Sequence, residues 1–297
     1  ATIPDGADVI GVAGTAPGLV VPANGCVFVV LPGPPGELRR LWPAAVASMP
    51  MQAVLASTRP PGRRVLRFFG ASESAVAQAL AEAGGDGDGV EATICARDFE
   101  IHVDLVVEPG ADRRGDELAA ALRDPLERYL FSEDERSIAE IVLELCRARG
   151  LTLATAESCT GGMIAARLTD VPGSSDVVSG GIVAYANEVK TAELGVPEGV
   201  IAEHGAVSAE VAASMAAGVR ARLGTDVGIA VTGVAGPGGG SVEKPVGLVY
   251  FHVSAPGVEK GREFSLPADR DTIRARATVA ALHLVRAVLT RSRHQDE

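Results

Sequence analysis

The sequence predicts an α/β protein with a small α+β unit ahead of its main domain. Three observations carry this. From about residue 132 onward strand and helix patterns alternate, which implies helices layered on a partly parallel sheet. Between about residues 60 and 131 the order is strand, helix, strand, strand, helix. The 297 residues are 47% hydrophobic and 22% charged, a soluble globular balance with room for about two domains and a sizeable core.

The elements follow in order. Residues 1 to about 50 are rich in Gly and Pro. GTAPG (Gly14–Gly18) and VVLPGPPGE (Val29–Glu37) bracket one short apolar strand, Cys26–Leu31, and ELRRLWPAAV continues as a helix. That is too little for a complete domain. RRVLRFFG reads as a strand. Ser72 or Ser74 caps the helix SAVAQALAEAGG, which glycines end. EATICA and EIHVDLVVE alternate as two antiparallel strands, and RGDELAAALRDPLERYL is a second helix.

A boundary is expected near Ser132. SEDE, Ser132 to Glu135, has the form of a capping box, with Ser at the N-cap and Glu three residues later. Ile138, Ile141, Val142, Leu145 and Cys146 follow at helical spacing, and Gly150 ends the run. LTLATAES is then a strand, TGGMIAARLTD a helix and VVSGGIVAYAN a strand. SAEVAASMAAGVRARLG is a helix opened by Ser208. DVGIAVTG and GLVYFHVSA are strands, and DTIRARATVAALHLVRAVL closes the chain as a helix.

Composition excludes several classes of function. A net charge of −11 repels phosphate backbones, so bulk nucleic-acid binding is disfavoured, while a local pocket for a small anion remains open. No apolar run is long enough to span a membrane, and no charged segment followed by an apolar one opens the chain. The first residue is Ala1 and the opening reads as mid-domain, so a truncated or processed start is expected. Cys26, Cys95, Cys146 and Cys159 are scattered without a CxxC, which points to a reducing cytoplasm rather than a disulfide framework.

The chemistry concentrates in the last region. AESCTGG (Ala156–Gly162) falls where a strand gives way to a helix and sets Ser158 beside Cys159. Unpaired amides at a helix start favour negative charge, and Gly161 and Gly162 permit close approach, so the stretch suits an anion site or an oxyanion hole beside a nucleophile. Ser, Thr and Gly are also ordinary helix caps. GGIVAYANEVK (Gly180–Lys190) adds Tyr185, Asn187 and Lys190 just after a strand. A desolvated lysine can serve as the base for a serine. VTGVAGPGGGSVEKPVG (Val231–Gly247) runs from a strand, with Thr232 at its end, into six glycines. Ligands of open α/β sheets bind beyond such strand ends, and a glycine-rich loop can offer a nest of amides. The loop is neither GxxxxGK[ST] nor GxGxxG. Arg270 and Arg274 are suited to a phosphate or carboxylate, or equally to a solvated helix face.

AESCTGG, GGIVAYANEVK, HGAVS, VTGVAGPGGG and EKPVG, in this order over about residues 135 to 290, resemble the C-terminal domain of the CinA family (competence/damage-inducible protein A). The resemblance implies a three-layer α/β deamidase domain over 132–297. In the family that domain hydrolyses the carboxamide of nicotinamide mononucleotide to nicotinate mononucleotide and ammonia, in pyridine-nucleotide salvage, and the same activity is expected here. It implies Ser158 as nucleophile, with amides after it forming the oxyanion hole, Cys159 as a packed neighbour, and Lys190 or Tyr185 as base. Substrate would be held by Cys159, Thr160, Gly161 and Gly162 of the turn and by Asn187 and Thr232. Gly233, Ala235, Gly236, Pro237 and Gly238 of the loop, with Arg270 and Arg274, would complete the contacts. The resemblance implies no cofactor for the deamidase, and His204 of HGAVS is read as structural. The partner it implies is a small pyridine nucleotide, with no membrane and nucleic acid disfavoured, and a homodimer is expected because the family tends to form one.

Residues 1–55 resemble the end of a molybdopterin-binding-like α/β domain, which the family links to metal-dependent ADP-ribose hydrolysis. Its GGTGPT-type loop and following Asp pair are not found, so this chain is not expected to form that site. Residues 60–131 resemble the family's KH-like α+β domain. Their GGDG, Gly84–Gly87, carries Asp86 and is followed by Asp88, which suits a spacer or dimer element better than RNA binding. The rival readings are a metal-dependent nucleotide pyrophosphatase acting through the N-terminal part and a non-enzymatic competence-related binding protein.

Overall fold

Residues 3–14 and 16–291 are described by a computed structural model; Thr15 of the GTAPG turn lies outside the described residues. They gather into two compact units. One takes in the described residues up to Arg64, with Glu82–Ala92 and Asp104–Ala121. The other takes in Val65–Ala81, Thr93–Val103 and the described residues from Leu122 onward.

The Gly- and Pro-rich opening holds more structure than its composition suggests. β1 (Asp8–Val12), β2 (Pro17–Ala23) and β3 (Cys26–Val30) form an antiparallel sheet in the order β1-β2-β3. The β2–β3 hairpin turns on Asn24 and Gly25, both at positive φ, between the paired Ala23 and Cys26. Asn-Gly is the strongest short hairpin signal, because both central residues must be left-handed. α1 (Pro35–Ala47) starts with Pro at its first turn and buries Leu41 and Ala45, and α2 (Met49–Ser57) follows a break at Ser48. The one strand and one helix expected here are therefore three strands and two helices.

The next stretch has the expected order: β4 (Gly62–Phe69), α3 (Glu73–Glu82), β5 (Val90–Arg97), β6 (Glu100–Val107) and α4 (Asp112–Leu126). Ser72 is the cap, its hydroxyl accepting from the Ala75 amide at 3.1 Å. A short β7 (Leu130–Ser132) completes the sheet order β5-β6-β4-β7. Here the expected capping box is corrected. Ser132 is a strand residue paired with Arg67, so SEDE opens no helix. The capping box is Ser137 with Glu140, five residues on, and α5 (Ile138–Arg147) begins there.

The rest is a three-layer domain. β8 (Leu153–Glu157), α6 (Met163–Thr169), β9 (Val178–Val183), α7 (Asn187–Leu194), α8 (Glu198–His204) and α9 (Ala209–Leu223) lead into β10 (Val227–Gly233), β11 (Leu248–Ala255), β12 (Val258–Ser265) and α10 (Arg270–Arg291). The sheet order is β12-β11-β10-β8-β9. β8 is parallel to β9 and β10, while β11 is antiparallel to β10 and β12. α7, α8 and β12 were not expected from the sequence.

Alternation along the central strands assigns the layers. Leu153, Val227, Ile229 and Val231 face one core with α5, α6 and α10. Ala154, Ala156 and Ala230 face a second core with α7 and α9. The second face is built of small residues, so α9 lies close. A Cβ on Gly228 would stand 2.3 Å from the Ala216 carbonyl oxygen, which only glycine avoids. Ser208 caps α9 as expected, accepting from the Val211 amide. Among the described residues, no helix is long and apolar enough to cross a membrane.

Candidate active site

Because β8, β9 and β10 run parallel, their carboxyl ends emerge at one edge of the sheet. Glu157 is in register with Val183 on one side and Val231 on the other. The pairing continues one step: Ser158 donates its amide to the Val231 carbonyl at 2.9 Å, and Ala184 donates to the Glu157 carbonyl at 2.8 Å. Three loops distant in sequence thus surround a cleft of about 270 Å³. Ser158 and Cys159 come from the first loop, Tyr185, Asn187 and Lys190 from the second. Thr232, Gly233, Ala235, Gly236 and Gly238 come from the third, and Arg270 from the start of α10.

The turn after β8 is held from both sides. Glu157 is fully buried, and its carboxylate accepts from the amides of Gly162 (2.9 Å), Ile164 (3.0 Å) and Ala165 (2.9 Å) and from the Thr155 hydroxyl (3.2 Å). Arg274 donates Nε to the Cys159 carbonyl at 3.1 Å and Nη2 to the Thr160 carbonyl at 3.0 Å. Gly161 and Gly162, at φ +61° and +96°, supply the left-handed steps that bend the chain into α6. The expectation that amides after Ser158 stand open for an oxyanion is corrected in part. Those at the start of α6 are taken by Glu157, and that of Gly161 donates to the Ser158 carbonyl.

Lys190 is 1% exposed, and burial holds its ammonium below the ordinary lysine value. Nζ donates to the Tyr185 carbonyl at 3.1 Å. Tyr185 is 60% exposed, and its hydroxyl accepts from Arg270 Nη2 at 2.9 Å; Arg270 Nη1 also donates to the Gly236 carbonyl at 2.7 Å. Arg270 therefore links the β9 and β10 loops. Thr232 is buried and donates to the Ala206 carbonyl at 2.8 Å. Burial pushes the Cys159 thiol up to about 12, so the thiolate is disfavoured at neutral pH.

Five of the expected substrate contacts lie off the cleft wall. Thr160 is fully buried with an unpartnered Oγ1, and Gly161 and Gly162 form the turn behind Ser158. Pro237 is not among the lining residues. Arg274 has its guanidinium on the two carbonyls of the turn. His204 is also outside the wall; its carbonyl accepts from Lys244 at the end of α8. The wall adds Ala206, Val207, Val234 and Gly239. The first two belong to HGAVS, a segment whose place in the resemblance was the available signal. Glu157 carried a signal too, as a lone acid in the apolar run LTLATAE ahead of a glycine turn. Among the described residues, no group of three or more His, Cys, Asp or Glu is placed to hold a metal ion.

Residues 135–289 match the family model of the CinA C-terminal domain. A CinA-like protein of Mycolicibacterium paratuberculosis is 46% identical over 298 residues, covering 98% of this chain and 68% of that relative. One from Mycobacterium tuberculosis is 47% identical over 294 residues, with the same shares. The competence/damage inducible protein CihA of Agrobacterium tumefaciens, a solved structure, aligns at TM-score 0.50 and 39% identity. That match covers 54% of this chain and 99% of that one.

Proposed function

The chain belongs to the CinA family, and from that premise we propose that it hydrolyses the carboxamide of nicotinamide mononucleotide with Ser158 as nucleophile. The observation that carries the reading is one cleft holding Ser158 together with a buried lysine at the carboxyl ends of three parallel strands. The pyridine nucleotide comes from the resemblance of the five segments, and the cleft is of a size for a mononucleotide rather than a polymer.

Ser158 Oγ attacks the amide carbon and gives its proton to the neutral amine of Lys190. The tetrahedral intermediate collapses, the C–N bond breaks, and the proton passes to the leaving nitrogen, which departs as ammonia. Water, deprotonated by the same amine, attacks the acyl-enzyme and releases nicotinate mononucleotide. Burial supports Lys190 over Tyr185 as base, since Tyr185 is exposed and its hydroxyl is held by Arg270. The Cys159 thiol, held protonated, is a poor rival nucleophile. The course uses no metal. The glycine loop and Arg270 supply donors for the phosphate.

The test is ammonia release from nicotinamide mononucleotide with EDTA present. Ser158→Ala is expected to lose at least about 10³-fold in kcat while remaining folded, and Cys159→Ala to keep the reaction. Full activity in folded Ser158→Ala overturns the mechanism, and no release from the wild type overturns the substrate. Because the folded pKa of Lys190 lies below 10.5, kcat/KM is expected to rise with pH through a value below that figure. Lys190→Arg, which cannot deprotonate, abolishes this limb.

A further inference from the structure

The family reading does not use Glu157, whose carboxylate lies beneath the turn after β8. It precedes Ser158 in the chain, is fully buried, and accepts from three backbone amides and one hydroxyl. A buried carboxylate is retained only where donors replace its hydration. Here the amides come from Gly162 and the first turn of α6, just after the serine, and the hydroxyl from β8, just before it. Arg274 holds the carbonyls of Cys159 and Thr160 in the turn after β8. The turn's amides and carbonyls are thus held by two opposite charges, neither of which lines the cleft.

We propose that Glu157 is a positioning residue: its carboxylate fixes the turn that presents Ser158 Oγ to the amide carbon, and Arg274 is the counter-brace. The assignment rests on Ser158 being the nucleophile. It also gives the start of α6 an internal occupant, so substrate anions are bound elsewhere on the cleft. Gln at this position has one acceptor oxygen and presents an amide N–H₂ to backbone donors, so it cannot reproduce the contacts. Misplacing a reacting atom by about 1 Å can cost about 10²-fold in rate.

Two readouts test this in Glu157→Gln, Glu157→Ala and Thr155→Val. One is kcat and KM for nicotinamide mononucleotide per folded protein, with folding checked by near-ultraviolet circular dichroism. The other is the rate at which a small fluorophosphonate labels Ser158, which does not depend on the substrate's identity. In the Glu157 variants both kcat and the labelling rate are expected to fall by about 10²-fold, with KM within about threefold. Thr155→Val, which removes only the hydroxyl donor, lowers both by about three- to fivefold, and Thr155→Ser restores them. Should the Glu157 variants fail to fold, the Thr155 pair decides. A kcat and labelling rate within about twofold of wild type in folded protein overturns the proposal. A wild type that labels at Ser158 but spares nicotinamide mononucleotide overturns the substrate and leaves the positioning role supported. A wild type unlabelled at Ser158 overturns both.

Discussion

Glu157 and Glu100 are buried carboxylates in the same compact unit, satisfied by opposite chemistry. Glu157 sits among backbone amides and a hydroxyl, none of which titrates. Glu100, on β6, lies between two imidazoles, with Oε1 2.7 Å from His283 Nε2 of α10 and Oε2 3.0 Å from His102 Nε2. His283 is itself buried, stacked on Phe69 at 3.8 Å with Phe131 edge-on at 4.7 Å, and its Nδ1 has no partner among the described residues. Burial pushes Glu100 up, but the hydrogen bonds from His102 and His283 outweigh it and bring the carboxyl below its ordinary value. Burial likewise takes His283 below its ordinary value, so it stays neutral and donates from Nε2. Fixed dipoles hold one carboxylate by donors that carry no titratable proton. Titratable partners make a contact whose strength changes with pH.

This contrast can be broken most sharply by removing each carboxylate in turn. Glu157→Ala is expected to act on kcat, as above. Glu100→Ala is expected to leave kcat of the folded protein within about threefold and to lower unfolding free energy by about 2–3 kcal/mol, since a buried imidazole loses its charged acceptor. Urea titration beside steady-state kinetics reads both. An equal loss of kcat in the two variants would erase the distinction.

Smaller in size is the pH dependence. His283 has a folded pKa below its ordinary 6.5, so the unfolded chain binds the extra proton first and stability falls as pH drops through about 6.5. Glu100 has a folded pKa below its ordinary 4.5, so the stability it contributes is present above that value and is lost as pH falls further. Urea midpoints between pH 7.5 and pH 4 are expected to decline in two stages, and His283→Gln to remove the first. A midpoint unchanged between pH 7.5 and pH 5.5 in the wild type would contradict this. The smallest effect is expected from His102→Gln. That imidazole is partly exposed, and its loss costs about 0.5–1.5 kcal/mol by the same titration.

Much of this was legible from residues alone because it is local. The 3.6-residue spacing in α5, the Ser208 cap and the alternation of β6 depend on near neighbours. So does the concentration of chemistry in AESCTGG, GGIVAYANEVK and VTGVAGPGGG, each placed by its strand at one sheet edge. Two local signals were misread. Ser132 and Ser137 both begin an S-x-x-E, and the pairing of β7 with β4 decides between them. Asn24-Gly25 marked a hairpin that the surrounding prolines obscured.

What residue order could not decide is which polar groups remain for a ligand. Arg270 and Arg274 are one helical turn apart and equally suited to an anion, yet one lines the cleft and the other is bonded to Cys159, 115 residues away in the chain. That Lys190 is desolvated is decided only when α7 packs and takes it out of water. The helix start after Ser158 reads as an open anion site until the Glu157 carboxylate fills it. Local propensity and turn chemistry set much of the order of the elements and mark the segments that line the cleft. Burial and hydrogen-bond occupancy are properties of packed neighbours, and only the pairing of distant strands and helices supplies those.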